Sequence, residues 1–97
     1  MSKIIEGNPW IWVIVQGDIG KEQYLGQYDP KDNVSFIPGF LTKDEALKGF
    51  HLFAHEKEKK PEVQAVRFKE LSKDARTNGF AIFILDDEGN LKEKIEP

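Results

Sequence analysis

Two runs of this chain, Trp10–Gln16 (WIWVIVQ) and Phe80–Leu85 (FAIFIL), are β-prone and apolar without alternation. Side chains of a strand point in turn to the two sides of its sheet. Trp10, Trp12 and Ile14 therefore line one face, and Ile11, Val13 and Val15 the other. A strand apolar on both sides belongs inside a sheet that is covered above and below. Any fold for this sequence must place both runs near the middle of a sheet and find cover for each face.

Part of that cover comes from Val34–Ala54 (VSFIPGFLTKDEALKGFHLFA). Val34, Phe36 and Ile37 make a short strand, which Pro38-Gly39 is expected to stop. Thr42 then stands where an N-cap belongs, with Glu45 three residues on. That spacing predicts a capping box, in which the hydroxyl accepts from an early N–H and the carboxylate reaches back to the cap's own N–H. Asp44 and Glu45 put negative charge in the first turn, where the helix dipole favours it. Ala46, Leu47, Phe50, Phe53 and Ala54 fall on one stripe, predicting a helix that ends near His55. Leu52 lies off the stripe, about 120° from its near edge.

The remaining elements read in order. Residues 1–9 form a lead-in with some strand character at Ile4 and Ile5. Glu22–Tyr28 predicts a second strand, with Tyr24, Gly26 and Tyr28 on one face; Gly26 marks a bulge or a close approach. Asp29–Asn33 (DPKDN) is turn chemistry, which makes a hairpin of this strand and Val34–Ile37. Glu56–Lys60 is a charged connection closed by Pro61. Val63–Phe68 predicts a strand and Lys69–Asn78 a helix, with Phe68, Leu71 and Ala75 inward and Gly79 at its left-handed end. Asp86–Asn90 is a turn before an edge strand at Leu91–Ile95. The order is β-β-β-α-β-α-β-β. It defines an α+β fold, a single-layer mixed β-sheet with two helices packed on it, as one domain over residues 1–97.

Two of these stretches resemble a known family. VSFIPGFLTKDEALKGF is similar to the "aromatic-x-P-x-F-T-x-x-E-A-L" signature of SseB-type N-terminal domains, where a strand ending in Pro leads into a Thr- or Ser-capped helix. VRFKELSKDARTNGFAIFILDDEG resembles that family's second block, although Asp86-Asp87 stands where the family commonly has Asn-Pro. The resemblance implies an SseB-like α+β domain of bacterial type. The family is named from a secretion-system protein, is spread through many bacteria, and has no established catalytic residues to carry over.

Composition narrows the function. A net charge of −3 lacks the basic excess of a nucleic-acid binder. The absence of cysteine removes disulfides, thiolate metal sites and cysteine catalysis together. The run at Trp10–Val15 is too short to span a bilayer, and MSKIIEGNP lacks the apolar core of a signal peptide. A cytoplasmic protein with no membrane partner is the expectation.

No catalytic set assembles. His51 and His55, at i and i+4, point from one helix face and offer two metal positions, with Asp44 or Glu56 as a third ligand. The intervening Leu52, Phe53 and Ala54 include no general base, and both rings fall beyond the apolar stripe, so solvated histidines are the simpler reading. Asp86–Asn90 misses the calcium-loop spacing. Ser35 and Ser72 lack a nucleophile elbow. We therefore expect no enzyme and no cofactor, but a small non-enzymatic interaction domain binding a protein partner or itself. Trp10, Trp12, Tyr24, Tyr28 and Leu52 are its candidate interface. The alternative is a small-molecule-binding or catalytic domain with an aromatic-lined pocket near Trp12, Tyr24 and Tyr28. If both helices take one face, the other exposes several of Trp10, Trp12, Ile14, Phe80, Ile82 and Ile84, and a homodimer is expected to cover them.

Overall fold

The computed structural model describes residues 7–17, 23–53 and 61–96. Its elements are β1 (Trp10–Gln16), β2 (Gln23–Tyr24), β3 (Gln27–Asp29), β4 (Val34–Phe40), α1 (Lys43–Gly49) with a 3-10 turn at Phe50–Leu52, β5 (Glu62–Arg67), α2 (Phe68–Asn78), β6 (Ala81–Leu85) and β7 (Leu91–Ile95). The expectations for Ile4 and Ile5 and for the charged connection Glu56–Lys60 lie outside the described residues.

β1 is interior, as its two apolar faces require. One edge carries β5 from Trp10↔Arg67 to Val15↔Glu62. The other pairs first with β4, at Trp12↔Phe40 and Val13↔Gly39, and then with β2, at Val15↔Tyr24 and Gln16↔Gln23. β4 in turn leaves β1 for β3 at Gln27↔Phe36 through Asp29↔Val34, so β2 and β3 fill the wedge where the two long strands part. β6 runs parallel to β4, from Phe36↔Ala81 to Gly39↔Ile84, and β7 closes that edge antiparallel to β6. The result is the mixed, open α+β sheet of seven strands, read across as β5–β1–β4–β6–β7.

The helices lie on opposite faces. α2 sets Leu71 and Ala75 among Ile11, Val13, Val15, Ile37, Ile82 and Ile84. α1 sets Ala46 among Ile14, Leu25, Phe36, Phe40, Ala81, Phe83 and Leu85. On this second side Phe36 stacks on Phe83, with centroids 4.2 Å apart, and meets Phe53 edge-on at 6.4 Å. The open apolar face expected from the sequence is therefore not there. Registers explain why. Trp12 pairs with Phe40 while Ile82 pairs with Ile37, so Ile82 and Ile84 face α2 and the tryptophans face α1. Ile14, Ile82 and Ile84 are buried, and of the six residues only Trp10 is exposed.

Three local expectations need correction. β4 continues through Pro38 and Gly39 to Phe40. Pro38 falls between Phe36, the last residue paired with β3, and Gly39, the first paired with β1, so no strand on that edge needs its missing N–H. The second strand is broken at Leu25-Gly26, where a Cβ on Gly26 would lie 3.0 Å from the Phe80 ring. α1 ends at Gly49, six residues before His55, and the tighter turn that follows abandons the 100° period. Leu47, expected inward, is 48% exposed, because α1 seats the face carrying Ala46 and Gly49 against the sheet.

The cap of α1 is half of the expected box. The Glu45 N–H donates to Thr42 Oγ1 at 3.2 Å. The Glu45 carboxylate accepts from the Thr42 hydroxyl at 3.2 Å and from Lys92 Nζ of β7 at 2.7 Å, not from the cap's N–H. Thr42→Ala is expected to cost about 0.5–2 kcal/mol in urea melts. Adding Glu45→Ala is expected to cost less than the sum of the two single changes, because the residues share contacts.

Gly49 reports on the seating of α1. A Cβ there would lie 2.6 Å from Cε1 of the fully buried Phe40. Gly→Ala in a helix normally stabilises by about 1 kcal/mol. Gly49→Ala is expected to reverse that sign and destabilise by about 1–3 kcal/mol; an unchanged or raised urea midpoint would show that α1 is not held against Phe40.

Candidate functional site

The sheet separates the aromatics that the sequence grouped together. Trp10 and Trp12 lie on the α1 side; Tyr24 and Tyr28, paired with Val15 and Ser35, lie on the α2 side. A pocket shared by Trp12, Tyr24 and Tyr28 does not form. Tyr28 is exposed and its hydroxyl donates to Asn33 Oδ1 across the β3–β4 turn.

Tyr24 instead helps to form a cleft of about 570 Å³ between α2 and the sheet. Val15, Ile37, Val66 and Phe80 supply its apolar walls. Gln23, Gln64, Asp74 and Asn78 bring polar side chains to it. The Tyr24 hydroxyl donates to Asp74 Oδ2 at 2.9 Å, and Asn78 Nδ2 donates to the Asp74 carbonyl at 2.8 Å. Burial, then the hydrogen bond to Asp74, then the charges of Asp74 and Glu70 push the Tyr24 phenol well above the usual tyrosine range. The phenol therefore stays protonated, with its hydrogen committed to Asp74.

The α1 side is built differently. The Arg67 guanidinium lies 4.2 Å from the Trp10 ring centre, and Lys43 Nζ lies 5.8 Å from that of Trp12. Arg67 Nη1 also donates to the Asn8 carbonyl at 3.0 Å, which fixes the stack. Trp10 is 53% exposed, Leu52 54% and Leu91 54%. Leu52 sits against the turn before β7, with its Cδ1 2.9 Å from where a Cβ on Gly89 would be. Leu91 pairs with Leu85 of the α1-side core.

His51 is exposed in the 3-10 turn, its ring edge-on to Phe50; His55 lies outside the described residues. α1 stops at Gly49, so His51 stands outside the α-helix on which an i, i+4 pair was expected. Among the described residues no three His, Cys, Asp or Glu side chains group as metal ligands. Asp86 spends its carboxylate on its own turn. Oδ1 accepts from the Glu88 and Asn90 N–H groups at 2.9 and 2.8 Å, and Oδ2 from the Asn90 amide at 3.1 Å. The bonds from Asn90 lead in holding this carboxyl below its usual pKa.

Sequence reasoning missed Asp74, Asn78 and Gln64 on one side and Leu47 and Leu91 on the other. The spacing Glu70–Asp74–Asn78, each four apart, put three polar groups on one face of α2, but nothing local says what faces them. Among the described residues no helix is long and apolar enough to cross a membrane. Comparisons with protein-family models, with curated proteins and with solved structures find no match to this chain.

The Tyr24–Asp74 contact has a pH signature. Tyr24's folded pKa is raised above its unfolded value of about 10. Its contribution to stability is therefore full below about pH 10 and lost as pH rises towards the folded value. Urea melts are expected to show less stability at alkaline pH in the wild type than in Tyr24→Phe, relative to each protein at neutral pH. An identical alkaline decline in both would remove the contact from the account.

Proposed function

We propose that this chain is a small non-enzymatic interaction domain that binds a protein partner, or a second copy of itself, through the α1 end of the fold. The observation that carries this is where the large exposed hydrophobics fall. Trp10, Leu47, Leu52 and Leu91 belong to the α1 side, at the end where β4 and β6 finish; Tyr28 lies elsewhere. Trp10 on β1 and Leu91 on β7 lie three strand spacings apart across the sheet, about 14 Å, and two residues apart along it, about 7 Å. That span fits within one partner's share of a standard interface, about 800 Å². Arg67 stacked on Trp10 adds the residue types that most often dominate binding energy.

The SseB-type resemblance supports a bacterial, cytoplasmic interaction role, and the net charge of −3 supports a protein partner over nucleic acid. A homodimer on this reading would use the exposed leucines and Trp10, not the buried centre of the sheet. The test is the triple variant Leu47→Ser/Leu52→Ser/Leu91→Ser, whose sites are each about half exposed. Sedimentation over a micromolar range and cross-linked pull-downs are expected to show self-association or a retained partner for the wild type and neither for the variant, at equal circular dichroism. A monomeric wild type that retains the same proteins as the variant ends the proposal.

A further inference from the structure

The cleft on the α2 side stands apart from the proposed interface, with the whole sheet between them. Its volume, about 570 Å³, is that of a small-molecule site. Among the described residues no lysine or arginine lines it, whereas Asp74 does. Glu70, one helical turn earlier, directs a second negative charge at the same Tyr24 hydroxyl. Asp74 and Asn78 belong to the last two turns of α2, where the helix dipole is negative and cations are favoured. Lys69, Lys73 and Arg76 of the same helix are exposed and do not line the cleft.

The hydrogen-bonding inventory has the same bias. Asp74 receives one phenol donor, while a carboxylate accepts about four. Asn78 donates its Nδ2 to the helix, which leaves its Oδ1 as the acceptor end of that amide. Opposite them, Val15, Ile37, Val66 and Phe80 offer apolar wall but no charge. We infer that the cleft binds a small organic cation, a protonated amine or guanidine on an apolar body. The charged head takes Asp74, with the Asn78 and Gln64 amide oxygens as further acceptors, and the body lies against Val66 and Phe80. The Tyr24 donor pins the Asp74 carboxylate in place, so the acceptor is oriented before the ligand arrives.

The test uses the full chain and three probes of nearly one shape: phenethylamine, 2-phenylethanol and phenylacetate. Amide NMR titrations at neutral pH are expected to show saturable shifts with the amine, centred on Gln64, Asp74 and Asn78. The alcohol is expected to bind at least about tenfold more weakly, the scale of one hydrogen bond to a charged group, and the acid not at all. Asp74→Asn, which keeps the shape and removes the charge, is expected to bring the amine down to the level of the alcohol. Equal binding of all three probes, or amine shifts scattered over the surface without saturation, overturns the inference without any variant having to fold. A blocked lysine amide forms the last arm. Tighter binding than phenethylamine assigns the same cation chemistry to a partner's side chain; weaker binding assigns it to a free amine. The triple leucine variant is expected to bind the amine unchanged, so this site and the α1 end fail or stand separately.

Discussion

The structure depends on β4 meeting β1 and β6 along its two edges while feeding both cores. Phe36 and Phe40 go to the α1 side and Ile37 to the α2 side. Gly39 completes the arrangement. A Cβ there would lie 3.0 Å from Ile11 and 3.2 Å from Ile84, so these side chains of β1 and β6 close over a position that carries none. A larger residue would hold the two strands' side chains apart on the face where α2 must pack. Pro38 costs little because it sits between the stretch of β4 paired with β3 and the stretch paired with β1.

From that strand the placement of the helices follows. β4, β5 and β6 run parallel, with β1 antiparallel between β5 and β4, so α1 and α2 are both crossovers between parallel strands. They cross on opposite faces. Each apolar face of β1 and β6 is thereby covered within one chain. Among the described residues, the large hydrophobics left exposed on the α1 side lie not at the sheet's centre but at its margin: the end of α1, the start of β7 and the first residue of β1.

The two sides then differ in kind. The α1 side ends in aliphatic surface with cations lying over tryptophan rings. The α2 side holds a half-open cleft with a carboxylate, amides and a phenol bonded to that carboxylate. The Lys92–Glu45 ion pair at 2.7 Å ties β7 to α1 on the first side only. An exposed pair of this kind is worth about 0–1 kcal/mol, so it positions β7 more than it stabilises the fold.

Periodicity made the elements legible. The unbroken apolar run of β1, the hairpin at Asp29–Asn33, the Thr42 cap, the inward face of α2 and the left-handed Gly79 at φ 76° are local matters, set by neighbours a few residues away. The shared face of Tyr24 and Tyr28 was equally readable, because the strand period reaches across their break. Pairings over long separations were not readable. Asn8 Oδ1 accepts from the Lys69 N–H at 2.8 Å and so caps α2 from 61 residues away, and Asp74 meets Tyr24 across 50. The same limit hid which side each helix takes, whether Pro38 would stop β4, and where α1 would end against Phe40. The sequence by itself determined which residues are apolar, where turns fall and how helices begin, since those depend on local sterics and hydrogen bonds. Tertiary structure alone decided the registers that send the tryptophans to one face and Ile82 and Ile84 to the other, and so both candidate sites. A one-residue shift in register exchanges the two faces of a strand, and nothing within the strand itself fixes that choice.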